Sequence, residues 1–132
     1  MSITDPIADM ATLIRNAGDA GKEKVDIKAS KVNEEILQIL KSEKFIQTYK
    51  KIDDNKQGTI RVYLRYDDEK KSIIKSIRRI SKPGLKVYKN KKEILPVLGG
   101  LGINIISTSK GILSDNDVRE KGLGGEVMLE VW

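Results

Sequence analysis

Four consecutive residues, Ser107-Thr108-Ser109-Lys110, end an apolar run and lead into Gly111 in the stretch NIISTSKGIL. Three short hydroxyls can donate and accept hydrogen bonds, and a lysine adds a compact positive charge. Two kinds of chemistry use that set. One is local, with strand-end Ser and Thr side chains bonding their own backbone. The other is recognition, in which hydroxyls read a ribose 2′-OH or a base edge and the cation meets a phosphate. If the strand runs on, Thr108 and Lys110 share a face, while Ser109 and Lys110 point apart, which is a poor arrangement for a lysine-activated serine.

Other candidates lie nearby in the chain. Residues 70–92, KKSIIKSIRRISKPGLKVYKNKK, hold ten Lys and Arg, Lys82 and Lys86 among them, and no acid. Such a block is either a solvated surface or, displayed by a sheet, one positive face for phosphates. Tyr88 inside it is either a half-buried core aromatic or a stacking platform for a base. Glu126, after Gly124-Gly125, is either a solvent-facing strand residue or an acceptor for base amino groups, a 2′-OH or Lys110. The GGLG stretch (99–102) precedes a strand and lacks the phosphate-loop pattern, so it reads as a loop needing positive φ or close backbone approach.

The totals narrow the field. The chain has 132 residues, 39% of them hydrophobic, which is the size of one domain or two small lobes sharing an interface. Its 25 Lys and Arg against 19 Asp and Glu give +6, which favours anionic partners. Without Cys or His there is no disulfide, thiolate nucleophile or imidazole base, and the commonest metal ligands are missing. An enzyme would have to work with carboxylates, lysines and hydroxyls, so no catalytic residue, cofactor, metal or small-molecule substrate is expected. The start, MSITDPIADM, carries no basic segment followed by an apolar block, and no apolar run approaches the roughly 18 residues of a membrane span. A cytoplasmic setting is expected.

The elements that must position these residues follow from periodicity. Asp5-Pro6 reads as a helix start, and Ile7, Met10, Ala11, Ile14 and Ala17 form its apolar face, closed by Gly18 and Gly21. KVDIKA is a short strand. Ser30 caps a second helix with Val32, Ile36, Leu37, Ile39 and Leu40 inward. FIQTYKKI and TIRVYLRY flank the turn DDNKQG as a hairpin, with Ile60, Val62, Leu64 and Tyr66 on one face. The first half is therefore α-β-α-β-β. Residues 67–72, DDEKKS, read as a linker between a lobe at 1–66 and a lobe at 73–132. In the second lobe Ile73, Ile74, Ile77 and Ile80 favour strand by β-branching. Pro83-Gly84 turns, LKVY is a short strand, and KKEILPVL holds one helical turn limited by Pro96. INIISTS is a strand, Ser114-Asp115 starts a short helix closed by Gly122, and GEVMLEVW ends the chain with Val127, Leu129 and Val131 on one face. The fold class is α/β of the α+β kind, in two small lobes, the second mostly β.

These pieces in this order resemble the small-subunit ribosomal protein eight family of bacteria. The resemblance runs from TDPIADM and IRNA through ASKV and RRISKPGLKVY to GLGINIISTSKGILSD and GLGGEVMLEVW. It implies a two-lobed structural protein that binds the central domain of small-subunit rRNA during assembly, beside neighbouring ribosomal proteins. Some members also bind a look-alike site on their own operon's mRNA and repress its translation. Residue by residue, the resemblance places the main RNA contact on Ser107, Thr108, Ser109, Lys110 and Gly111, with Tyr88 and Glu126 brought beside them. Lys86 and Lys110 would face phosphates, Lys82 would also belong to the RNA contact, and Thr4, Asp5, Arg15, Asn16 and Lys31 would touch a second rRNA helix. A general nucleic-acid binder acting outside the ribosome is the main rival.

The chain departs from the family pattern at several positions. Leu13 stands where a basic residue is frequent, Lys28 where a proline is usual, and Lys44 where a glycine is usual before Phe45-Ile46. Val118 replaces a smaller residue, and Leu129 stands where some members carry cysteine.

Overall fold

The structure, a computed structural model, describes residues 5–53 and 58–132. The chain forms two compact units, one spanning Pro6–Lys75 and the other Ser76–Trp132 together with Asp5.

In the first unit, α1 (Pro6–Asp19) buries the expected stripe of Ile7, Met10, Ala11, Ile14 and Ala17. Strands β1 (Lys24–Lys28), β2 (Ile46–Ile52) and β3 (Thr59–Leu64) make an antiparallel sheet in the order β1-β3-β2. Ile27, Ile60, Val62 and Leu64 are buried on one face of it. Helix α2 (Lys31–Ser42) starts at the expected cap, where Ser30 Oγ accepts from Asn33 N at 3.1 Å. Its inner stripe differs from the expectation. Val32 is 38% exposed, and Asn33 is buried instead because its amide donates to Lys28 O at 3.0 Å, tying the helix start to β1. Tyr66 closes the unit through a hydroxyl that donates to Lys22 O. Of the expected hairpin turn, only Asp53 and Gly58 lie within the described residues.

Among the described residues the three α-helices end in the same way, by a paired set of backbone bonds that needs a left-handed residue. In α1 that residue is Gly21 and in α3 (Asp115–Lys121) it is Gly122, both with φ near 70°. In α2 it is Lys44, at φ 65°. Lys44 N donates to Lys41 O at 3.0 Å and Phe45 N to Leu40 O at 2.8 Å, which completes the motif, and buried Phe45 and Leu40 supply its apolar contact. Arg65 donates to the Lys44 carbonyl at 2.9 Å and holds the corner from outside. A side chain with a Cβ is thus kept where glycine is favoured.

Residues 67–72 fold back on themselves. Asp67 Oδ1 accepts from Glu69 N at 2.8 Å and Lys71 N at 3.0 Å, and Tyr66 and Ser72 form an isolated bridge. The expected strand from Ile73 to Ile80 is shorter than the β-branched run. Only β4 (Ile77–Arg79) is strand, and Ile73 N bonds instead to Arg65 O. LKVY contributes only β5 (Tyr88–Lys89), because Lys82 to Leu85 are taken by a turn. The GGLG loop fits its expectation. Gly99 and Gly100 have positive φ, and a Cβ on Gly102 would lie 2.7 Å from Val131 O.

The second unit is a five-stranded antiparallel sheet in the order β4-β8-β6-β7, with β5 also on β8. Here β6 is Ile103–Thr108, β7 is Gly111–Ser114 and β8 is Gly125–Val131. The four-residue β7 was missing from the periodicity reading. Ser114 Oγ caps α3 from Asp117 N, as expected. One feature of register departs from a regular ladder. Ile105 pairs with Leu129, but Ile106 pairs with Val127, which leaves Met128 as an extra residue on β8. A bulge of this kind reverses the facing of everything beyond it. Val127 therefore does not share a face with Leu129 and Val131. It packs with Ile94, Ile106 and Val118, the last from α3.

Replacing Lys44 by glycine removes the Cβ strain at φ 65° and leaves the corner's hydrogen bonds in place. Urea denaturation of Lys44→Gly should show a gain of about 1 kcal/mol over the parent, after the larger chain entropy of glycine is set against the strain.

Candidate nucleic-acid interface

Residues directly opposite each other on antiparallel strands project to the same side. Tyr88 on β5 pairs with Glu126 on β8, and Glu126 pairs with Ser107 on β6. Tyr88, Glu126 and Ser107 therefore form one row across three strands, on the face opposite α3. The bulge at Met128 makes this row. In a regular ladder Glu126 would face α3 and pair with Thr108.

The row is held at close quarters. A Cβ on Gly124 would lie 2.7 Å from Lys89 O, and one on Gly125 would collide with Ser107 O. The two glycines let β8 pass between β5 and β6 with no room for a side chain. Tyr88 is 66% exposed, so its ring is a surface feature and not core. Glu126 is mostly covered. Its Oε2 accepts from Ser81 Oγ at 2.5 Å and faces Lys86 Nζ at 3.7 Å. Among the described residues its other oxygen has no hydrogen-bond partner, so it remains a free acceptor. The partner of Glu126 is thus Lys86, and Lys110 is not paired with it.

Ser81 was not singled out by the sequence reading. It is fully buried, donates to Glu126 and accepts from Val87 N at 3.0 Å, so it ties the Lys82–Leu85 turn to the row. Its signal was a lone hydroxyl wedged between Ile80 and the Lys82-Pro83-Gly84 turn. Lys82 is exposed on that turn.

At the end of the row β6 and β7 are joined by the two residues Ser109 and Lys110, with Thr108 paired to Gly111. Thr108 Oγ1 donates to Gly111 O at 2.8 Å and accepts from Lys110 N at 3.0 Å. The local reading of a strand end bonding its own backbone therefore holds for Thr108, which keeps one lone pair and no proton to offer. Among the described residues the Ser107 and Ser109 hydroxyls have no hydrogen-bond partner. Lys110 sits in the turn, so the expectation that it shares a strand face with Thr108 fails. Gly111 takes φ 105°, which the turn requires.

The positive block is less uniform than its sequence suggests. Five of its ten cations pair with acids: Lys71 with Glu69, Lys75 with Asp67, Arg78 with Glu130, Arg79 with Asp5, and Lys86 with Glu126. Arg79 has a structural task. Its guanidinium meets Asp5 at 3.1 Å and donates to Met128 O at 3.1 Å, the carbonyl of the bulge itself. Ile80 N bonds to the same carbonyl at 3.0 Å. Asp5 thus belongs with the second unit. Arg15 and Asn16 are exposed on α1, and Lys31 is exposed at the first position of α2. Thr4 lies outside the described residues. Among the described residues no group of three carboxylates could hold a metal ion, and no helix is long and apolar enough to cross a membrane.

The sequence model of the family described as ribosomal protein S8 matches residues 5–132, which takes in both units and every strand of the row. The chain belongs to the ribosomal protein S8 family. It is 54% identical to the small ribosomal subunit protein uS8 of Geobacter metallireducens, 53% to that of Geobacillus kaustophilus and 51% to that of Natranaerobius thermophilus. Each match covers 100% of both chains. The S8 family is one of structural ribosomal proteins, and the α+β fold in two units accords with the resemblance read from the motifs.

Because the Arg79 and Asp5 side chains are only 10% and 18% exposed, breaking their pair should be costly. Arg79→Met should lose about 3 kcal/mol in urea denaturation. Arg78→Met, whose side chain is 58% exposed against Glu130, should stay within about 1 kcal/mol of the parent.

Proposed function

We propose that the chain is a component of the small ribosomal subunit that binds the central domain of its rRNA through the Tyr88–Glu126–Ser107 row and the Ser109–Gly111 turn. The observation that carries this reading is the row, which sets an exposed aromatic, a free carboxylate oxygen and unpaired hydroxyls side by side. A base stacks on Tyr88. The free Glu126 oxygen accepts from a base amino group or a 2′-OH. Ser107 and Ser109 bond ribose or base edges, and Lys82 and Lys110 meet phosphates. Lys86 offsets the charge of Glu126, which lowers the repulsion an acid would exert on the RNA backbone.

Thr108 acts by shaping the turn. Arg15, Asn16 and Lys31, with Thr4, form the contact to a second rRNA helix. Asp5 holds Arg79 and the bulge and does not touch RNA itself. The role is that of a structural staple in platform assembly within the cytoplasmic ribosome, beside neighbouring ribosomal proteins and with no catalysis. A messenger site folded like the rRNA helix would engage the same row, so repression of the chain's own operon belongs to the same proposal.

The test is binding to a central-domain rRNA helix fragment beside a scrambled helix of equal length, across a range of salt. The fragment should bind far more tightly. Tyr88→Ala should cost about 1–3 kcal/mol on the fragment, as loss of one stacked base does. Lys110→Ala should lower the salt slope by about one unit. Equal, steeply salt-dependent binding to both helices would contradict the proposal and favour a general nucleic-acid binder.

A further inference from the structure

The sheet of the first unit has a second face that no element of that proposal uses. Its rows follow from the register. Lys24, Tyr63 and Thr48 lie opposite one another, as do Asp26, Arg61 and Lys50, and then Lys28, Thr59 and Ile52. The alternate residues Ile27, Ile60, Val62 and Leu64 are the buried ones, so these nine occupy the outer face. Lys24, Lys28 and Lys50 are exposed on it, and Tyr63 is half-buried at its middle strand.

The face is positive and carries an aromatic ring. Asp26 is its one acid, and Arg61 holds that carboxylate through two bonds of 2.8 and 3.2 Å. The pair cancels, which leaves three lysines on the face, Lys24 and Lys50 beside the ring and Lys28 farther along, opposite Thr59. Lys50 Nζ, on an exposed side chain, lies 5.6 Å from the centre of the Tyr63 ring. A stacked base is worth more than an exposed lysine–ring contact and can displace it. Beside β1 a groove of about 530 Å³ opens between Leu13 and Val25, with Lys22, Lys24, Arg61, Asn16 and the Arg61-paired Asp26 on its polar wall. That volume accommodates a nucleotide, and Lys24 and Arg61 are shared between groove and sheet face.

We propose that this face binds a single-stranded RNA segment, with a base stacked on Tyr63, phosphates on Lys24, Lys28 and Lys50, and a neighbouring nucleotide in the groove beside β1. A duplex is a poor fit, because its bases are already stacked and cannot reach Tyr63. The site is separate from the Tyr88 row and does not depend on it.

The test uses the full chain and a fluorescein-labelled ten-nucleotide oligouridylate. Tyr63→Ala should weaken binding about tenfold, while Tyr63→Phe stays within about twofold, since the ring is what stacks. Lys28→Ala should reduce the salt slope by about 0.7, the value for one phosphate of a single strand. Ultraviolet cross-linking of the unaltered protein should map to the peptide containing Tyr63, which keeps the test independent of any folding defect in a variant. Three results would overturn the proposal. The first is cross-linking confined to Tyr88. The second is full affinity in Tyr63→Ala with loss in Tyr88→Ala. The third is no binding of the oligonucleotide by the unaltered protein, which would leave this face to a protein partner.

Discussion

One extra residue in β8 decides what the second unit can present. Without Met128 as a bulge, the ladder from Ile105–Leu129 would run on regularly, Glu126 would turn toward α3, and Tyr88 would follow it. With the bulge, Val127 enters the core beside Ile106 and Val118, and Glu126 and Tyr88 come to the opposite face in line with Ser107. The rest of the unit keeps that register. Arg79 and Ile80 fasten the bulge carbonyl, Asp5 fastens Arg79, and Ser81 fastens Glu126. Gly124 and Gly125 let the strands approach at the row. A one-residue irregularity is thus braced from three directions, as expected where a strand must re-aim a functional side chain.

Electrostatics follows the same division of labour. Net charge of +6 would suggest a diffuse positive surface, but much of the positive block is neutralised locally. Paired cations such as Arg79 and Arg78 fix strands, while Lys82 and Lys110 stand on turns at the two ends of the row. In the proposed function, attraction to RNA would then come from a few placed lysines, and selectivity from hydroxyls, a carboxylate oxygen and a ring. Short side chains suit that task, because they lose little rotamer freedom when an interface forms around them.

Much of this was legible in the sequence. The apolar stripe of α1, the Ser30 and Ser114 caps, the pairing segments of β2 and β3, and strands β6 and β8 of the row declared themselves by period and by turn chemistry. So did the helix-ending Gly21 and Gly122 and the glycines of the GGLG loop. What could not be read was register. Val127-Met128-Leu129 looks like plain alternation, and only pairing with Ile105-Ile106 shows that Val127 and Leu129 lie on opposite faces. For the same reason Lys110 stood among several possible partners of Glu126, when the fold gives it Lys86 and Ser81, which are distant in sequence. Local hydrogen bonding was also hidden, since nothing in the sequence tells that Thr108 gives its proton to Gly111. Lys44 at φ 65° shows the reverse case, in which a departure visible in the sequence marks a strained corner that Arg65 holds.

The most direct test of the bulge account is chemical-shift mapping by NMR as a central-domain rRNA fragment is added to the isotopically labelled chain. The account predicts that, within the second unit, perturbations gather at Tyr88, Ser107, Glu126 and the Ser109–Gly111 turn, all on the face opposite α3. Perturbations centred on α3 and on Asn104 and Glu130, which the register places on the other face, would contradict it.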